Sequence, residues 1–183
     1  MEELKPYNIE FAGLSQGTHR FSYEIGEEFF ACFEHSEINN GAVSLDLTME
    51  KESDMLVIDY AFKGWVELEC DICLKPYRQP VDHEHRMFVK FGSGFTEQSE
   101  DVVVIPSEAS HIEIAHYVYE YIHLDLPIKR VHTGDGQEGS ECDKEMLDKV
   151  ARHSVDPKSG NTVESLAASS QEALKKLRFD KNN

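Results

Sequence analysis

The 183-residue sequence predicts an α+β fold, a mostly antiparallel twisted sheet or partly closed barrel with a central helix and C-terminal helices. Two patterns indicate this class. Apolar and polar residues alternate through much of the first two thirds, as in half-buried strands, and the spacing becomes helical near His111. With 40% hydrophobic residues the chain can bury one core, so we expect a single domain, 1–183. Its predicted regions are mainly β (1–106), helix and Leu-Pro segment (107–131), acidic loop and short helix (132–161), and C-terminal helix and tail (162–183).

The strands follow from period-two alternation. From Leu56 onwards the apolar residues share the parity of Cys70, which places this thiol on the core-facing side at a strand's end. Because alternation resumes after Cys73, the two cysteines are expected at a hairpin tip. The stretch 92–101 is rich in glycine, serine and acids and is predicted to be a mobile loop. The predicted strands cover about 7–12, 21–26, 43–50, 56–70 and 81–91, with a short apolar run at 102–105.

Helical spacing replaces this alternation in the last third. Ile114, Val118 and Ile122 recur on one helical face, and Pro127 stops the pattern, which predicts one amphipathic helix. Further helices are predicted over 141–152 and within 162–183, where a tail follows the helix.

The charge balance restricts the classes of partner. Asp and Glu outnumber Lys and Arg by 35 to 18, a formal net charge of -17, which repels phosphate backbones. A basic protein partner suits this charge better than nucleic acid, unless the acidity serves only solubility. No stretch approaches the roughly 20 apolar residues of a membrane helix, and residues 1–5 lack a signal-peptide pattern. We therefore expect a cytoplasmic protein without membrane association.

The cysteine pair is the sharpest chemical feature of the sequence. A two-residue spacer lets a tight turn aim the Cys70 and Cys73 thiolates at one tetrahedral ion, and His132 with Cys142 would complete a structural zinc site. Alternatively, Cys70 is a small core residue, Cys73 an exposed thiol and Cys142 unrelated. A redox role is less favoured, because thioredoxin-like pairs precede a helix and strands flank this pair.

The other polar clusters indicate no catalytic site. His83 and His85 share the parity of core residues and are assigned no function, since such histidines are more often hydrogen-bonded core residues than ligands. No phosphate loop or nucleophile elbow is present, so neither an enzyme nor a small-molecule substrate is predicted. A solvated helix face, rather than a metal site, is predicted for four residues at 3-4-3 spacing: Glu113, His116, Glu120 and His123.

Three blocks resemble one protein family. The segment VELECDICLKPY at 66–77 resembles the cysteine-pair hairpin of the YceD family, the large ribosomal RNA subunit accumulation proteins of bacteria and plastids. The Leu-Pro segment at 126–132 and the closing helix around 173–177 are similar to later blocks of the same family. Many members carry a second Cys-x-x-Cys after the Leu-Pro segment, whereas this chain keeps only Cys142, with His132 as a substitute ligand.

The resemblance implies a non-enzymatic accessory factor in large-subunit ribosomal RNA accumulation. From the charge, we expect it to bind a basic ribosomal or assembly protein. One alternative is a direct RNA-binding module that uses sheet aromatics such as Trp65 and Tyr77 together with a basic tail. Another is a zinc-stabilised adaptor of an unrelated pathway. The candidate cations of the tail are Lys175, Lys176, Arg178 and Lys181.

Overall fold

The computed structural model describes residues 4–132 and 142–153. The chain divides into two compact units, Met1–Glu141 and Cys142–Asn183. The described part of the second unit contains one helix, and the single domain 1–183 stays a prediction. The predicted C-terminal helix at 162–183 and its cations lie outside the described residues.

The described elements begin with a short 3-10 turn, Lys5–Tyr7. The strands are β1 Asn8–Glu10, β2 Gly17–Ile25, β3 Gly41–Lys51, β4 Met55–Glu69, β5 Pro76–Gly92, β6 Thr96–Ser99, β7 Val102–Pro106 and β8 His111–Glu113. The helices are α1 Glu27–Phe30, α2 Ala115–Leu124 and α3 Lys144–His153. None of the helices in these ranges is long and apolar enough to cross a membrane.

The main sheet has six strands in the order β2-β3-β4-β5-β7-β6, and a separate ribbon pairs β1 with β8. Its centre is built from long antiparallel neighbours, with β4 paired along its whole length to β5. The mostly antiparallel α+β class is therefore confirmed. The partly closed barrel is wrong, because β2 and β6 end the strand order without pairing with each other, and β6 is too short and exposed to close the sheet.

The far edge of the sheet differs from the sequence prediction. The predicted mobile loop at 92–101 contains β6, and β7 lies between β6 and β5. β7 runs parallel to β5, with Phe88 opposite Val102, whereas it is antiparallel to β6. All four residues of β6 are exposed, so no apolar alternation marks this strand in the sequence.

One buried cluster covers the inner face of the sheet. The alternation in β3 and β4 arises because every second side chain enters this cluster, and each full burial contributes about 1.5–3 kcal/mol. Helix α2 adds Val118 and Ile122, as predicted, and its Tyr121 packs against Tyr60 of β4 with ring centroids 5.2 Å apart. The helix thereby places its C-terminal end, at Asp125, over the inner face of β5.

Candidate metal centre

The cysteine pair lies at the tip of the β4–β5 hairpin. The Cys70 N–H donates to the Lys75 carbonyl at 3.0 Å, and the Leu74 N–H donates to the Cys70 carbonyl at 2.9 Å. Leu74 adopts a left-handed conformation with φ of 58°, which tightens the turn. This turn directs both thiols inward, and Cys70 and Cys73 are 0% and 3% exposed. The alternative in which Cys73 is an exposed thiol is therefore wrong.

The Leu-Pro segment folds back onto this tip. The Asp71 N–H donates to the Arg130 carbonyl at 2.7 Å, and the Arg130 N–H donates to the Asp71 carboxylate at 2.7 Å. This reciprocal pair holds His132 beside the hairpin, with its Nδ1 3.6 Å from the Cys73 Sγ. The His132 ring also contacts the Tyr77 ring at 5.3 Å between centroids. The segment thus joins the cysteine pair through backbone as well as side-chain contacts.

The structure brings together three of the four residues that the sequence proposes as metal ligands; the fourth, Cys142, belongs to the second unit. One ligand atom from each of Cys70, Cys73 and His132 lies within 4.8 Å of the other two. In tetrahedral zinc sites, bonds of about 2.3 Å to sulfur and about 2.05 Å to nitrogen place S and N roughly 3.6 Å apart, which matches the Cys73–His132 distance. Two thiols and one imidazole could bind a metal such as zinc, and Cys142 stays the predicted fourth ligand.

The remaining cysteine, Cys32, does not belong to this group. The Cys32 Sγ contacts the Glu28 carbonyl at 3.2 Å, within one helical turn. All four cysteines fall in the described ranges, and none is in a disulfide. The predicted contact residues of the tail, Lys175, Lys176, Arg178 and Lys181, lie outside the described residues.

The four residues at helical spacing do not form a cluster. Glu113 lies in β8 rather than on the helix, contrary to the prediction that it shares the helix face. On α2, exposed His116 pairs with Glu120 at 3.0 Å, and the His123 Nδ1–H donates to the Tyr119 carbonyl at 2.7 Å. The described geometry therefore agrees with a solvated face for His116 and Glu120.

A second polar group lies on the inner face of β5, which the sequence analysis left without a function. The Nε2 atoms of His83 and His85 are 3.2 and 2.6 Å from the same Asp125 oxygen, Oδ2. Burial lowers the pKa of His83, although Asp125 acts in the opposite direction. The His-x-His spacing was the available signal, but Asp125 is 40 residues from His85 in sequence and no local pattern connects them.

Comparison with known proteins agrees with the resemblance seen in the sequence. The family model described as "Large ribosomal RNA subunit accumulation protein YceD" matches residues 58–178. The matched region runs from β4 through the cysteine hairpin, α2 and the Leu-Pro segment, and it covers well over half of the chain. No curated protein and no solved structure matches the chain significantly. The chain therefore belongs to the YceD family of large ribosomal RNA subunit accumulation proteins.

Proposed function

We propose that this protein is a non-enzymatic accessory factor in large-subunit ribosomal RNA accumulation that acts in the cytoplasm by binding a basic ribosomal or assembly protein. The family match supports the process, and the net charge of -17 supports the kind of partner. A partner with many lysines and arginines gains from this charge in association rate and in discrimination against other proteins.

The polar face of the central sheet offers a surface for such a partner. Strands β3, β4 and β5 bury alternate side chains, and the intervening ones form this outward face. Carboxylates outnumber cations there: Asp46, Glu50, Asp59, Glu67, Glu69, Asp82 and Glu84 stand against Lys63, Arg78, Arg86 and Lys90. Two of these charges neutralise each other, since Arg86 pairs with Asp59 at 2.5 Å. The face is thus a rigid, acidic platform.

We assign the cysteine cluster a supporting role in this function. With Cys142 as the proposed fourth ligand, three thiols and an imidazole would make a closed, four-ligand site, which is typical of structural rather than catalytic zinc. Zinc would supply bonds that hold the hairpin tip, through Cys70 and Cys73, against His132. The Asp71–Arg130 hydrogen bonds already orient these segments, so the protein fold prepares the ligands for the ion.

Direct RNA binding through the sheet aromatics is less well supported. The Arg78 guanidinium lies over the Trp65 ring at 4.0 Å, which occupies one face of that ring. Tyr77 is only half-buried, but its ring contacts His132 beside the cysteine cluster. Both aromatics therefore have partners within the chain, whereas RNA-binding sheets present open rings on which bases stack.

Charge reversal on the acidic face tests the proposed partner class. Asp46 and Glu84 flank Ala61 in one row across β3, β4 and β5. We expect the Asp46→Lys, Glu84→Lys double variant to bind the basic proteins captured by the wild type about tenfold more weakly at low salt. Capture from nuclease-treated lysate of the native host, followed by titration with the purified partner, measures this change.

A matched control carries the same change in net charge away from the sheet. Glu34 and Glu108 are exposed in loops, so the Glu34→Lys, Glu108→Lys double variant should bind within about twofold of the wild type. Equal weakening in both double variants would contradict the assignment of the face. Capture of ribosomal RNA without basic protein, lost when Lys175, Lys176, Arg178 and Lys181 become glutamine, would instead establish the RNA-binding alternative.

A further inference from the structure

We propose that His83, His85 and Asp125 form a second metal site, independent of the cysteine cluster, that takes a divalent first-row transition metal ion. The site offers two imidazole nitrogens and one carboxylate. Such a donor set suits ions of intermediate softness such as Zn²⁺, Co²⁺ or Fe²⁺, and it lacks the thiolates that define the cysteine cluster.

The distances between the ligand atoms fit a common ion. Bonds of roughly 2.0–2.2 Å place neighbouring ligands roughly 2.8–3.6 Å apart in octahedral or tetrahedral sites. The distance of 3.2 Å from His83 Nε2 to Asp125 Oδ2 already lies in this range. The 2.6 Å contact from His85 Nε2 is a short hydrogen bond that needs to lengthen by about half an ångström as the ion replaces its proton. One ligand atom from each residue lies within 4.8 Å of the other two.

Rigid elements hold the three ligands. His83 and His85 alternate with exposed residues on β5, so both rings stand on the inner face of the sheet, opposite Phe62 and Tyr60 of β4. The His83 ring packs against Phe62 at 4.9 Å between centroids. The His85 ring stacks on Tyr121 of α2 at 4.4 Å with planes 10° apart. These contacts fix the direction of each imidazole before any ion binds.

The third ligand, Asp125, comes from the end of α2, the helix that packs on the inner face of the sheet. Asp125 is the C-terminal cap of α2, where the unpaired carbonyl groups of the last turn create a negative potential that favours a cation. A single carboxylate oxygen faces both histidines. Among the described residues, His83 Nε2 is buried without a hydrogen-bond partner, since its contact with Asp125 is not aligned as a hydrogen bond. A buried nitrogen aimed at a carboxylate but lacking such a bond is satisfied by an ion between the two.

The site also has access to solvent. His85 borders a cleft of about 700 Å³ between α2 and the β6–β7 edge. The cleft is acidic, lined by Glu97, Glu100, Asp101 and Glu120, and this charge raises the local concentration of cations. Three protein ligands leave at least one coordination position for water or a small ligand from the cleft, unlike the closed cysteine cluster.

Titration of the metal-free full-length protein with Co²⁺ separates the two sites. Cobalt bound to thiolates gives charge-transfer absorption in the near ultraviolet, whereas cobalt bound to imidazole and carboxylate does not. We expect two equivalents to bind to the wild type, only one of them with this absorption. Asp125→Asn and His85→Gln should each weaken binding of the Co²⁺ ion that lacks charge-transfer absorption by about 100-fold or more. Both variants should still bind the thiolate-bound Co²⁺ ion. Cys70→Ser should have the converse effect.

His111→Gln is the matched control, because His111 is exposed on β8 and outside both groups. It should retain both equivalents. A wild type that binds only the cobalt ion with thiolate absorption, or an Asp125→Asn variant that still binds both ions at wild-type affinity, would overturn the second site. Asp125→Asn keeps an acceptor for the histidines and so should preserve the fold.

Imidazole ¹⁵N spectra of the wild type give a further readout. The His83 and His85 Nε2 signals should shift when the second equivalent of Zn²⁺ is added. Unshifted signals would overturn the proposal.

Discussion

Cys70→Ser is expected to abolish tight zinc binding and to lower the free energy of unfolding of the zinc-loaded protein by about 4 kcal/mol. Serine offers a hydroxyl in place of a thiolate, and a 1,000-fold loss of metal affinity corresponds to about 4.1 kcal/mol when zinc is saturating. The Cys70 side chain is 0% exposed, so its hydroxyl replacement also gains no compensating hydration. Zinc content after desalting and urea unfolding with and without added zinc measure both effects.

Cys32→Ser is the control for this substitution. Cys32 is outside the cluster, and its sulfur contacts the Glu28 carbonyl of the preceding turn. We expect its zinc content to equal that of the wild type and its stability to change by less than about 1 kcal/mol. If the wild type unfolds at the same urea concentration with zinc and with a chelator, the cluster contributes no metal-linked stability.

Gly64→Ala is expected to destabilise the protein by about 3–5 kcal/mol, enough to unfold much of the population of a marginally stable domain. Gly64 has φ of +156°, and a Cβ there would lie 2.1 Å from the Ala42 carbonyl oxygen and 2.8 Å from the Val43 Cα. Both are backbone atoms of the neighbouring strand, so no side-chain rotation relieves the overlap. The β3–β4 ladder, in which Val43 lies opposite Gly64, has to separate locally. The midpoint of urea unfolding measures the loss.

Gly94→Ala gives the matched comparison. Its Cβ would meet no atom within 4 Å, and the residue lies outside the strands. Its stability should stay within about 0.5 kcal/mol of the wild type. Equal unfolding midpoints for Gly64→Ala and the wild type would show that β3 and β4 can shift apart at little cost.

The sequence predicts the centre of the fold best. Strands β3 and β4 each have one buried and one exposed face, and this contrast appears directly as alternation from Val43 to Met49 and from Leu56 to Leu68. The cysteine hairpin could also be predicted from the sequence, because Cys70 and Cys73 are close together in the chain. His132 and Cys142 were proposed only from their residue types and from the expectation that a loop folds back.

Strand β6 and the group of two histidines and an aspartate depend on contacts that a local sequence pattern does not encode. The side chains of β6 are exposed on both faces. β6 joins the sheet only by pairing with β7, which lies between β6 and β5. The group formed by His83, His85 and Asp125 arises because α2 ends over β5, a packing relation between segments that are distant in sequence. Alternation placed both histidines on the inner face but could not identify what meets them there.

The β1–β8 ribbon sets an order on folding. Ile9 pairs with Ile112 across the ribbon, so β1 has no partner until the chain has been synthesised past β8. The β3–β4 and β4–β5 hairpins join strands that are adjacent in sequence, and they need only short loops to close before pairing. During synthesis the central hairpins can therefore assemble first, while Ile9 lacks its strand partner until β8 emerges. A ribosome stalled before residue 112 would hold a β1 segment whose backbone N–H and C=O groups have no ladder partner and can pair with another chain.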